Sequence, residues 1–140
     1  MKRLSYTIRV NATKEKVWNT MLELETYKQW TSAFTEGSYY EGTWEKGTEI
    51  KFLTPEGHGM KALTADNRLY EYLSIKHGAA IKKDSEQEDI PEAFENYIFS
   101  EEKGVTELTV EMDSPPDYED FFNNTWRKAL EKLKELSEKE

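Results

Sequence analysis

An α+β domain, with an antiparallel sheet closing over one long helix, is the fold class the sequence predicts. Three observations carry it. A period-2 apolar pattern opens the chain, short alternating segments broken by turn residues fill its middle, and a long amphipathic segment ends it. No repeat, low-complexity tract or linker divides the 140 residues, so one domain spanning 1–140 is expected.

Leu4, Tyr6, Ile8 and Val10 alternate with Ser5, Thr7 and Arg9, as in a half-buried strand. At Asn11-Ala12-Thr13 the period changes. Thr13 is placed to cap a helix, Glu15 suits the positive end of its dipole, and Val17, Trp18, Met21 and Leu22 follow at helical spacing. A second short helix is predicted over 24–30, with Leu24, Tyr27 and Trp30 on one side. Ser38, Tyr40 and Trp44 then precede the turn Glu45-Lys46-Gly47, and Ile50 and Phe52 alternate with Glu49 and Lys51 before Pro55-Glu56-Gly57. Two more strands are predicted over 60–65 and 69–77 around a turn at Asp66-Asn67. A last hairpin joins 94–101 to 105–112 through Glu102-Lys103-Gly104. The total is about six to seven strands.

The end of the chain reads as a helix. Pro115-Pro116 stops the last strand and Asp117 is placed to cap the helix beyond it. Tyr118, Phe121, Phe122, Trp126, Ala129, Leu130, Leu133 and Leu136 recur at three and four residues, while Lys128, Glu131, Lys132 and Glu135 take the other side. Such a helix needs an extended surface to pack against.

Composition narrows the chemistry. Leu, Ile, Val and Phe make up 19% of the chain, and 28 acids against 19 bases give a net charge of −9. That balance approaches the range of disordered chains, but 18 aromatic residues argue for a packed fold, because such rings bury large areas. A core short of aliphatic and rich in aromatic side chains suits a cavity that is lined and not filled. The absence of cysteine excludes disulfides, thiolate nucleophiles and Cys-based metal sites, and fits a cytoplasmic protein. No apolar stretch approaches the roughly 18–20 residues of a membrane helix, and the residues after Lys2-Arg3 alternate where a signal peptide would be uniformly apolar. The net charge disfavours nucleic acid as a partner.

Between 78 and 93 a 16-residue irregular connection is predicted. From Asp84 to Glu95 it carries six acids and no base. It reads as a lid, as a docking surface for a basic protein partner, or as a solvated loop. Leu73, Ile75 and His77 share one strand face, as do Glu95, Tyr97 and Phe99, so antiparallel pairing of these strands brings His77 and Glu95 together. A His–carboxylate pair serves either as a general base or as a structural hydrogen bond. His58 and His77 lie on different predicted strands without ligand spacing, so no metal is expected. No phosphate-binding glycine loop or nucleophile elbow is present, and Ser74 and Ser100 lack an activating neighbour. Aromatic residues are the remaining constellation. Tyr6, Tyr40, Phe52, Tyr97, Phe99, Phe122 and Trp126 are expected to converge between sheet and helix, and with Met60, Ile75 and His77 they form the candidate ligand-binding set.

Several segments carry a family resemblance: the opening strand with Ala12-Thr13-Lys14-Glu15-Lys16-Val17-Trp18, the 27–30 segment, Gly42-Thr43-Trp44-Glu45-Lys46-Gly47, Leu73-Ser74-Ile75-Lys76-His77, Glu95-Asn96-Tyr97-Ile98-Phe99, Thr106-Glu107-Leu108-Thr109-Val110 and the Trp126 helix. In their order and spacing the chain resembles the START-like (SRPBCC) superfamily, and most of all its bacterial branch related to the activator of heat-shock-protein ATPase. The resemblance implies a helix-grip fold, a curved sheet wrapped around a C-terminal helix and an internal cavity. Relatives bind lipids, polyketides, hormones or other apolar molecules; some are cyclases or similar enzymes, and others are co-chaperone modules. The superfamily has no universal catalytic residue, and fold alone does not fix function. The leading expectation is a binding module for a small apolar or aromatic molecule, without cofactor. The alternatives are an acid–base enzyme of the cyclase, hydratase or isomerase type using His77 and Glu95, and a protein-interaction domain of the co-chaperone kind.

Overall fold

Strand alternation sorts the side chains into an inner and an outer layer, and a computed structural model describing residues 1–83 and 86–139 shows how the layers close. The elements are β1 (Lys2–Val10), α1 (Lys14–Leu22), α2 (Leu24–Trp30) with a 3-10 turn at Thr31–Ala33, β2 (Tyr39–Gly42), β3 (Glu49–Leu53), β4 (Gly59–Arg68), β5 (Tyr72–Ile81), β6 (Gln87–Glu102), β7 (Val105–Ser114), a 3-10 turn at Pro116–Tyr118, and α3 (Glu119–Glu138). The seven strands form one antiparallel sheet in the order β1-β7-β6-β5-β4-β3-β2. Sequence neighbours pair throughout, except that β1 joins β7 along its whole length, from Lys2 opposite Ser114 to Val10 opposite Thr106. The fold is α+β, of the helix-grip kind.

The helices cover the inner face. Thr13 caps α1 by accepting a hydrogen bond from the Lys16 amide. On α3, Trp126, Ala129, Leu130, Leu133 and Leu136 are buried, and they meet β1, α1 and α2. Under them lie Val10 of β1, Leu108 and Val110 of β7, and Leu73 and Ile75 of β5, all essentially inaccessible. On α2, Tyr27 and Trp30 turn inward, whereas Leu24 is exposed and leaves the side it was expected to share with them.

Three local expectations are corrected. The β4–β5 turn lies at Leu69-Tyr70-Glu71, where Tyr70 has a φ of 64° and the Glu71 amide donates to Arg68 O at 2.8 Å. Asp66 and Asn67 belong to β4: a register shift at Ala65 carries the strand onward, and the Asn67 side-chain amide reaches across to Trp44 O at 2.7 Å. Asp117 does not cap α3. Pro115 and Pro116 impose a 3-10 turn that absorbs Asp117, and Tyr118 takes the N-cap position without a side-chain bond.

The third correction concerns 78–93, most of which is sheet and not loop. Ala79, Ala80 and Ile81 pair with Asp89, Glu88 and Gln87, so β5 and β6 extend as a long hairpin. Two of the acids taken for a free acidic loop meet bases of the neighbouring segment: Glu88 meets Lys82 at 3.2 Å and Glu92 meets Lys76 at 3.6 Å. Glu95 turns inward, and Asp84 lies outside the described residues. The irregularity shrinks to a bulge, with Gly78 facing Ile90, Pro91 and Glu92 between the pairs His77–Ala93 and Ala79–Asp89. A proline without an N–H is tolerated in such a place.

Leu133 is fully buried on α3, while Phe121 on the same helix is 50% exposed. Leu133→Ala is expected to lower the unfolding free energy by about 2–5 kcal/mol, and Phe121→Ala by no more than about 0.5 kcal/mol, both read from urea unfolding.

Candidate ligand cavity

Register sets an acid in the wall of the grip. Leu4, Met112, Glu95, Ile75 and Thr64 are successive partners across β1, β7, β6, β5 and β4, so they form one inward-facing row. The other four members are at most 7% exposed. Glu95 is the anomaly in that row, a carboxylate where the pattern places an apolar side chain. His77, paired with Ala93, is its diagonal neighbour on the same face, and Tyr97 follows two residues along β6.

These three side chains form a cluster. His77 Nε2 stands 3.4 Å from Glu95 Oε1, and the Tyr97 hydroxyl donates to Glu95 Oε2. Burial pushes the Glu95 carboxyl up, but the hydrogen bond from His77, the charge of that ring when protonated, and the hydrogen bond from Tyr97 together outweigh it and hold the group below its ordinary value. The same carboxylate acts in the opposite sense on its neighbours. Burial first, and then the charge of Glu95, push the hydroxyls of Tyr97 and Tyr27 well up, so both stay protonated. Glu95 is surrounded by protein, yet its side chain is 23% exposed. That exposure opens on an internal space.

The space is a cavity of about 760 Å³ between the concave face of the sheet, α2 and the N-terminal half of α3. Its rings touch one another in a closed circuit. Tyr97 and Trp126 have centroids 6.2 Å apart, Trp126 and Trp30 6.0 Å, Trp30 and Tyr27 5.6 Å, Tyr27 and Phe52 6.4 Å, and Phe52 and His77 5.5 Å. Glu95 closes the circuit between His77 and Tyr97. Two of the indoles are fixed by their N–H groups: Trp30 donates to Met21 O and Trp126 to Met112 Sδ, each at 3.0 Å. At one end the Ile90-Pro91 bulge, Pro115-Pro116 and Tyr118 contribute to the wall.

Of the sequence-derived candidates, Phe52, Met60, His77, Tyr97, Phe122 and Trp126 line this cavity, together with Glu95. Tyr6, Tyr40, Ile75 and Phe99 stand outside its wall. Tyr6 stacks on Trp126 at 6.2 Å and donates to Asn123 Oδ1 at 2.7 Å. Tyr40 packs edge-on against Tyr27 and Trp44 while its hydroxyl donates to Leu22 O at 2.5 Å, so it braces the rings that do line the space. Ile75 is buried under the helices, and Phe99 packs on Trp18 at 5.1 Å. The wall residues that sequence reasoning did not select are chiefly Tyr27, Trp30 and Trp44. Two of them were visible as the inward side of α2. Among the described residues no group of three or more His, Cys, Asp or Glu is arranged to hold a metal.

Comparison with known proteins places the fold. The family described as "Activator of Hsp90 ATPase homolog 1-like protein" matches residues 11–138. The chain belongs to this family. It is of the START/SRPBCC type that the sequence segments suggested. No curated protein matches the chain. Among solved structures, protein CV1439 from Chromobacterium violaceum is 15% identical with a TM-score of 0.76, each chain covered in full. Protein BH1534 from Bacillus halodurans is 18% identical with a TM-score of 0.73, with 99% of this chain and 98% of that chain covered. DynU16, a protein of the dynemicin biosynthetic locus, is 13% identical with a TM-score of 0.75; the match spans 96% of this chain and 46% of DynU16. At these identities the likeness is one of fold. No helix among the described residues of this family member is long and apolar enough to cross a membrane.

The depressed Glu95 value has a sign. A carboxyl group held below its ordinary 4.5 contributes stability that is complete above that value and is lost as pH falls through the lower folded one. Glu95→Gln is expected to be less stable than the natural protein near neutral pH, with the gap closing as urea unfolding is repeated from about pH 7 to about pH 3.

Proposed function

We propose that this protein is a binding module that holds a small apolar or aromatic molecule between the sheet and α3. One observation carries the reading: the inner face encloses about 760 Å³ lined mainly by aromatic and apolar side chains. Sites for small organic ligands are commonly about 300–1,000 Å³, apolar, with a few placed polar groups. Here the rings supply contact area at low conformational cost, because the Trp30 and Trp126 indoles are already fixed by internal hydrogen bonds. The Glu95–His77–Tyr97 cluster supplies the polar group that would orient a ligand. Membership of a family built on this scaffold supports the same reading.

Trp30, Trp44 and Trp126 all stand in the wall, so occupancy is readable as a change in tryptophan fluorescence. A panel of flavonoids, sterols and simple polycyclic aromatics is expected to contain members that shift the emission and raise the melting temperature. Ala93 lines the cavity opposite His77. Ala93→Phe fills part of the space and is expected to weaken any such ligand by at least about tenfold while leaving the fold intact. A panel in which no member moves either signal would sink the proposal.

A further inference from the structure

Charge in the cavity wall is distributed unevenly. Among the described residues that line the space there is no Lys and no Arg, while Glu95 and Asp113 both contribute. The bases of the surrounding strands alternate to the other face. Lys51 pairs with Lys61 on the side away from the inward pair Phe52–Met60, and Lys76 faces outward beside the inward His77, meeting Glu92. Asp113, at the rim, is already compensated. Arg3 Nε lies 2.9 Å from its Oδ1, the Phe94 amide donates to its Oδ2 at 2.9 Å, and the terminal amino group lies near.

Glu95 has no Lys or Arg against it among the described residues. Its one ionisable contact besides Tyr97 is His77, whose Nδ1 is buried without a partner among the described residues. A carboxylate offers about four acceptor positions, and His77 and Tyr97 occupy one on each oxygen. The rest belong to a side chain that is 23% exposed to the cavity. Around it stand the rings of Tyr97, Phe52 and His77, with Tyr27 and Trp44 next in the same contact network. Aromatic faces attract a cation within about 6 Å of the ring centre, and more strongly where water is excluded.

We propose that the ligand is a hydrophobic amine: an apolar or aromatic body in the cavity, with one protonated nitrogen seated against Glu95 inside the ring of aromatic faces. This rests on the binding reading above and sharpens it from an apolar molecule to a cationic one. An anionic amphiphile of the same shape would bring its carboxylate to a wall that holds a carboxylate and no Lys or Arg.

The test uses three probes with one body, 6-phenylhexylamine, 6-phenylhexanol and 6-phenylhexanoate, titrated into the full chain at neutral pH by calorimetry and tryptophan fluorescence. The amine is expected to bind at least about tenfold tighter than the alcohol, and the carboxylate most weakly. In Glu95→Gln the advantage of the amine over the alcohol is expected to disappear. An alcohol or carboxylate that binds as tightly as the amine overturns the amine assignment and leaves the cavity reading standing, as does an amine preference that survives Glu95→Gln. Failure of all three to bind removes the cavity reading and this one with it. The ranking of the three probes on the natural protein decides the matter even if the variant does not fold.

Discussion

A carboxylate cannot lie between two packed layers unless it is protonated or held by donors, because desolvation of the bare charge would outweigh what the surrounding contacts contribute. Much of the interior is arranged around that requirement. Glu95 occupies the middle of an inward row whose other members are Leu4, Met112, Ile75 and Thr64. Its oxygens are met by Tyr97 from its own strand and by His77 from the next. Ring packing then radiates from those two donors, through Phe52 on one side and Trp126 on the other, until it closes at Tyr27 and Trp30. The Trp30 and Trp126 indoles are held in place by their own hydrogen bonds, and the space the rings leave is the cavity.

Topology makes this possible. A long antiparallel hairpin, β5–β6, carries His77 and Glu95 on the same face and then interrupts its ladder at Gly78 opposite Ile90-Pro91-Glu92. The bulge lets Ile90 and Pro91 join the wall at one end, while Pro115-Pro116 and Tyr118 turn the chain into α3 and join it as well. Strand alternation sends the lysines of β3, β4 and β5 to the outer face, where Lys76 meets Glu92 and Lys82, just beyond β5, meets Glu88. Three of the acids between 84 and 95 are thereby accounted for: Glu88 and Glu92 pair with lysines on the outer face, and Glu95 turns inward.

The fold was largely legible because its signals are local and repeated. Alternation at Leu4–Val10, the Thr13 cap, the Lys103-Gly104 turn with φ of 51° and 78°, and the three-and-four spacing of α3 each specify their own element. The errors came where a local signal was overridden from a distance. Asp66-Asn67 has turn chemistry, but Asn67 is held in β4 by Trp44 O. Pro91 and a run of acids look like loop, but a bulge admits the proline and lysines across the ladder take up Glu88 and Glu92. At the site, strand parity was enough to bring His77 and Glu95 together, since it depends only on which residues share a face. It could not separate wall from core: Ile75 and Phe99 share that face with Glu95 and Tyr97, yet both are buried in the core, Phe99 against Trp18 of α1. Nor could it find Trp44, which follows β2 outside any periodic segment and enters the ring through Tyr40 and Phe52.

The ionisation of Glu95 is the quantity on which this organisation turns, and it is directly observable. With glutamate labelled in its carboxyl carbon, the ¹³C resonance of Glu95, assigned by its loss in Glu95→Gln, can be followed through a pH titration. The expected shift is that of a carboxylate at neutral pH, persisting below the ordinary value of 4.5. A resonance showing Glu95 protonated at neutral pH would contradict it, because the cluster would then be a neutral hydrogen-bonded patch without the charge around which the cavity is built.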